Sequence, residues 1–360
     1  MFETFTKWAH LPRAFKLLVT SRDERLPNSF RRICKRIELP TGSVVTADAD
    51  DDIQLFLTTH FRQISASYES LGSDWPGKKV VEDLTNIAAG LFVWAETVVR
   101  FIERGIADEQ LRLILAGDFG DGQDNVSKLY SQILQFHFGL ATSSALESFN
   151  AVVGSLVLAK VPLLRTDLKY FLGMNMKETS IDYILNKLSS VILIGEDGLI
   201  RVGHLSFTEF LLDPKRRPQF VLIDPAMQHQ TLGLRCLQLM NHSKDGVKFN
   251  ICNLVTSHLR NHDIDDLSLR IRTFISSRLL YACRFWADHL RGAKDVIRDR
   301  PSVLKQLREF LFVRFLYWLE VLSLTGQVRL ALGALPNATQ WTGVGVFHYL
   351  SMVTASETTW

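Results

Sequence analysis

The chain is poor in cysteine. Four occur among 360 residues, Cys34, Cys236, Cys252 and Cys283, far apart and without a Cys-x-x-Cys pair. Such spacing argues against a cysteine-built zinc site and predicts a reducing, cytoplasmic location. Charge of one sign is lacking too: 41 basic against 38 acidic residues leave a net charge of +3. That balance excludes a polycation built for nucleic acid and a charged disordered tail. Long apolar runs are missing. The most apolar helical stretch, 304–322, is interrupted by Lys305, Arg308, Glu309, Arg314 and Glu320, so no membrane span is expected. The opening MFETFTKWAHLPR has no continuous apolar segment, so no secretory leader is expected either.

A phosphate-binding loop of the form G-x-x-x-x-G-K-[ST] is also lacking. Gly72-Ser73-Asp74-Trp75-Pro76-Gly77-Lys78-Lys79 comes nearest. Lys79, however, stands where the magnesium-binding hydroxyl belongs, and no strand precedes the loop. Trp75-Pro76 is a bulky pair with few N–H groups to offer a phosphate. The stretch reads as a connector between helices.

What is present is enough apolar residue, 47%, to bury a real core. Leu17-Leu18-Val19-Thr20-Ser21-Arg22 has the pattern of a buried parallel strand whose polar end emerges at the carboxyl edge of a sheet. Ligands of open α/β sheets sit at that edge, and Arg22 placed there could fork onto a phosphate. The acidic cluster Asp48 to Asp52 opens a helix at the end where carboxylates are favoured. Val81, Leu84, Ile87 and Ala88 predict the next helix, and the apolar girth from Leu91 to Ile102 another, with Gly90 as a break between them.

Residues 149–213 predict a compact unit. A helix runs from Phe149 to Lys160, a second opens at Arg165-Thr166-Asp167, and a third is capped by Thr179 or Ser180. Val191-Ile192-Leu193-Ile194, the turn Glu196-Asp197-Gly198 and Leu199-Ile200-Arg201-Val202 predict a β-hairpin. Three helices and a hairpin are a winged-helix arrangement, which in other proteins binds DNA through the third helix. Here that helix has Asp182 and Lys187 and no arginine, so internal packing is expected rather than DNA binding. His204 follows the hairpin, at the start of Leu205-Ser206-Phe207-Thr208-Glu209-Phe210. Further helices are expected over 226–330, the last carrying Leu304, Leu307, Phe310, Leu311, Phe315, Trp318, Leu319 and Leu322. Beyond Leu330 the chain carries Pro336, Asn337, Gly343 and Gly345, and an irregular tail is expected.

Several segments, in order, resemble the middle of fungal NACHT–WD-repeat proteins, NLR-like signalling NTPases of the STAND class. Lys16 to Arg22 resembles their sensor strand. Ala88-Ala89-Gly90-Leu91-Phe92-Val93-Trp94-Ala95 is similar to the helix after the NTPase core. Arg165 to Val202 with His204 to Leu211 resembles their winged helix. Leu234 to Asn241, Phe249 to Leu254 and Cys283 to Leu290 resemble the helical region that follows.

The resemblance implies a mainly α chain. Residues 1–47 would be the C-terminal remnant of an α/β P-loop NTPase sheet, 48–140 a helical domain, 149–213 the winged helix, 226–330 a helical bundle and 331–360 the tail. It implies that Arg22 is the sensor on the terminal phosphate, that Gly90 lies near the adenine pocket, and that His204 faces the diphosphate. The Walker A loop and the acidic Walker B strand of the family are absent, and Met1 lies only a few residues upstream of where they should end. Backbone N–H groups, a lysine and magnesium make the phosphate cradle, so these three are expected as vestigial contacts, with no catalytic residue, no metal and no cofactor. The expected role is a non-catalytic regulatory module that engages a protein partner or itself, without nucleic acid or membrane. The alternatives are a working ATP- or GTP-binding STAND NTPase and a winged-helix DNA binder.

Overall fold

The computed structural model describes residues 47–342, except Glu69, 121–123, Ser257, 294–295 and 297–299, together with Arg32 and Lys35. The expected strand at 17–22, Arg22 itself, Cys34 and the apolar run 37–39 lie outside the described residues. What is described is mainly helical, with one small antiparallel sheet.

The first five helices share the smaller of two cores. They are α1 (Ala47–Ser67), α2 (Lys78–Ala88), α3 (Phe92–Glu103), α4 (Ala107–Leu115) and α5 (Asn125–Phe138). In α1 the buried residues Ile53, Leu57, Phe61 and Ile64 recur every three or four positions, a single stripe. Asp48 and Asp50 lie in its first turn. α3 buries Trp94, Ala95, Thr97, Val98, Val99, Phe101 and Ile102, nearly all round. The cause is its position: α1, α2, α4 and α5 all pack against it.

The 72–77 connector is turned in on itself. Trp75 N–H donates to the Gly72 carbonyl at 3.0 Å and Gly77 N–H to the Asp74 carbonyl at 2.7 Å. The Trp75 indole donates to Asp108 at 2.9 Å and meets the Phe61 ring edge-on. Those N–H groups are spent within the turn, and the loop is a packed link between α1 and α2.

The larger core begins at α5 and continues to the last helix. α6 (Ser143–Leu158) leads into β1 (Leu163–Leu164), then α7 (Arg165–Leu172), α8 (Glu178–Lys187), β2 (Ile192–Ile194) and β3 (Leu199–Val202). β3 lies in the middle of the sheet, with Leu163 opposite Ile200 on one side and Ile192 opposite Val202 on the other. The hairpin falls where alternation and the Asp197-Gly198 turn put it, and Gly198 takes the left-handed φ of +72° that the turn needs. Two details differ from expectation. β1 is a strand of two residues, too short for a period to reveal. α8 starts at Glu178 with Lys177 before it and no side-chain cap, so neither Thr179 nor Ser180 caps it.

The chain continues through α9 (Leu205–Leu212), α10 (Pro225–Asn241), α11 (Leu267–Phe274), α12 (Ser277–Gly292), α13 (Arg300–Glu309), α14 (Phe315–Leu324) and α15 (Leu330–Thr342). A π-helical turn, Phe310–Arg314, joins α13 to α14. Trp286, Phe310 and Trp318 meet with ring centroids 5.0 to 5.9 Å apart, and the Trp318 indole donates to the Cys283 carbonyl at 2.8 Å. α15 corrects the expectation of an irregular tail over its described part. Ala331, Ala334, Ala338 and Trp341 form a helical stripe that is buried, and the Trp341 indole donates to the Leu290 carbonyl of α12 at 2.8 Å. Packing outweighs the cost of Pro336 inside the helix. No helix among the described residues is long and apolar enough to cross a membrane.

Candidate functional site

Of the three residues implied as nucleotide contacts, Gly90 and His204 are described. Gly90 sits between α2 and α3 with φ +74°, after Ala89 at φ +46°. Two successive left-handed residues reverse the chain here. Leu91 N–H then donates to the Ala88 carbonyl at 2.9 Å, and α3 begins. The glycine is accounted for by this reversal.

His204 is the N-cap of α9. Its Nδ1 accepts the Ser206 backbone N–H at 3.1 Å and lies 2.8 Å from the Ser206 hydroxyl. That hydroxyl is in turn 2.8 Å from the phenol of Tyr130 on α5. Tyr130 is buried, with Thr97 of α3 also in reach of its hydroxyl, and burial raises its pKa above the usual phenol value. The protons can all be placed in one direction, Tyr130 to Ser206 to His204. Because Nδ1 accepts, a neutral His204 carries its proton on Nε2. The ring is exposed, so an N–H donor faces solvent from a fixed helix start.

α5 links the two positions. Its first residue, Asn125, donates to the Ile87 carbonyl just before the Gly90 turn at 2.9 Å, and Tyr130 reaches Ser206. Five residues of helix separate these contacts, about 7.5 Å along the axis and about 140° around it. The two contacts thus leave α5 in different directions.

A cleft of about 470 Å³ does open on α5, lined by Asp124, Ser127, Lys128 and Ser131, by Phe119 and by Arg216 after α9. Neither Gly90 nor His204 lines it. Lys128 already donates to the Asp118 carbonyl at 2.8 Å, and Arg216 pairs with Asp213 at 3.3 Å. No group of three or more His, Cys, Asp or Glu side chains among the described residues could hold a metal ion.

Tyr130 and Ser206 were not singled out by the sequence. The available signal was small: a hydroxyl two positions after His204, and one phenol in the buried stripe of α5. Comparison with family models, curated proteins and solved structures gives no match to this chain.

Proposed function

We propose that the chain is a non-catalytic regulatory or interaction module of NLR-like NACHT type, in which 149–213 form a winged helix and α1 to α5 the helical domain before it. The observation that carries the reading is the element order helix, strand, helix, helix, strand, strand with sheet order β1-β3-β2. His204 follows it directly and is tied by hydroxyls to the preceding helical part. In this reading the His204–Ser206–Tyr130 link couples the winged helix to the helical domain. Arg22 remains a proposed sensor residue outside the described part.

The same geometry weighs against DNA as the partner. On the surface of α8, Asp182 and Glu178 take up the nearby Arg165. A third helix that spends its carboxylates on the local arginine presents phosphate with little positive charge. The partner is therefore proposed to be a protein or a second copy of this chain.

Isothermal titration of the purified chain with ATP and with ADP, each with magnesium, tests the reading. No saturable heat is expected up to millimolar nucleotide. Micromolar binding that depends on magnesium would overturn it in favour of a working NTPase. Gel retardation at low salt separates the remaining alternative, and a salt-sensitive shift would support the DNA binder.

A further inference from the structure

A second polar chain runs through the larger core, unconnected with His204. Lys160, just after α6, donates its backbone N–H to the phenol of Tyr281 at 3.2 Å. That phenol lies 2.8 Å from His289 Nε2. His289 Nδ1 lies 2.9 Å from His229 Nδ1. Tyr281 and His289 belong to α12 and His229 to α10, so the chain stitches the end of α6 to the seam between α10 and α12. Gly233 and Gly292 allow the approach. A Cβ on Gly292 would stand 2.4 Å from the His229 ring, and one on Gly233 2.9 Å from Leu290.

The direction of the protons follows from satisfaction. The phenol already accepts the Lys160 N–H, and its own hydrogen has His289 Nε2 as its partner. Were Nε2 to carry a proton instead, two N–H groups would face the phenol and its hydrogen would be stranded in the core. His289 therefore keeps its proton on Nδ1 and donates to His229. His229 accepts at Nδ1 and holds its proton on Nε2.

His289 is wholly buried and Tyr281 nearly so, while His229 reaches the surface in part. An added proton thus enters at His229. The imidazolium carries N–H on both nitrogens, so at Nδ1 donor would meet donor. The clash is relieved only if His289 shifts its proton to Nε2, which passes the conflict to the phenol. In both cases one buried donor loses its acceptor. We propose that the seam between α10, α12 and the end of α6 is a proton-operated latch, closed by this relay at neutral pH and released by one proton taken up at His229.

The surroundings hold the pair neutral. Burial, then the Lys160 cation, brings His229 down to about 4, against a smaller opposite pull from Asp288. Burial, then His229 and Lys160, brings His289 down to about 3. The other titratable neighbours, Tyr281, Cys236 and Cys283, are pushed upward by burial and stay protonated. In an opened seam each of the two histidines titrates near 6.5, so each makes opening grow by up to about tenfold per pH unit below that value until the closed pair itself titrates.

The test uses the full chain. Amide hydrogen exchange is followed from pH 7.5 to 5.0, as protection relative to the intrinsic rate. Protection of the amides at 159–163 and 281–290 is expected to fall steeply between pH 6.5 and 5, and to fall at least tenfold less in His229→Gln, where only His289 is left to gain a proton on opening. No fall in the wild type, or an equal fall in the variant, overturns the latch. Should the variant fail to fold, ring-nitrogen NMR of the wild type at pH 7.5 decides. A proton on His289 Nδ1 and His229 Nε2 supports the relay, and a proton on His289 Nε2 overturns it.

Discussion

At the scale of single residues, the described part is organised by side chains that carry one polar atom into an apolar place. Tyr130, Trp318 and Trp341 each bury a large ring and hydrogen-bond a partner on another helix through their one polar atom. Such a group contributes apolar area and also fixes orientation. Tyr130→Phe keeps the ring and removes the bond to Ser206, and it should lower unfolding stability by about 1 kcal/mol. Urea unfolding of the two proteins measures this. Equal midpoints would mean that the hydroxyl link between α5 and α9 contributes nothing. The sequence gives little warning of these pairs. Tyr130 and Ser206 are 76 positions apart, and a hydroxyl has no periodicity that could mark its partner.

At the scale of elements, what was legible depended on length and period. Long stripes such as Ile53, Leu57, Phe61 and Ile64 of α1 are readable because 3.6 residues per turn repeats within one helix. β1 was not readable, since two residues hold no period and its pairing with β3 is a non-local contact. α15 was not readable for the opposite reason. Gly333, Pro336 and Asn337 interrupt its helix-favouring Leu and Ala residues, and packing against α12 outweighs that cost. Helix starts can be ranked in the same physical terms. Asp224 accepts from both Ala226 N–H at 2.9 Å and Met227 N–H at 3.2 Å at the start of α10, whereas Thr142 accepts one N–H at 3.4 Å before α6. Asp224→Ala should therefore cost about 1 kcal/mol and Thr142→Ala clearly less. Chemical denaturation of both variants tests the order, and the reverse order would discount this cap geometry.

At the scale of the whole molecule, two cores meet along α5, which gives Leu129 and Ile133 to one and Tyr130, Leu134 and Phe138 to the other. Helical rotation makes this sharing possible, since neighbours in sequence point about 100° apart around the axis. Acid should act on the larger core first. His137 and His229 are lowered to about 4 and His289 to about 3, in each case chiefly by burial. Unfolded histidines bind protons near 6.5, so below that pH the unfolded chain holds more protons than the folded one. Stability then falls as pH falls, from about 6.5 down to about 4. Fully buried His289 alone accounts for about 2 kcal/mol between pH 6.5 and 5, while the partly exposed His137 and His229 add less. The expected result is a urea midpoint that drops steadily from pH 7 to 5. A constant midpoint would show that these rings are not held neutral by the fold.

By itself, the amino-acid sequence determined that the chain is mainly helical, that a hairpin turns at Asp197-Gly198, and that its charges are too mixed and its apolar runs too broken for a spanning helix. These are properties of neighbours, decided by local period and composition. Tertiary structure alone decided that 330–342 is a helix, that His204 faces outward from a hydroxyl-linked cap, and that His229, His289 and Tyr281 form one relay. Each of those rests on groups far apart in sequence, whose hydrogen bonds and packing exist only once the helices are side by side.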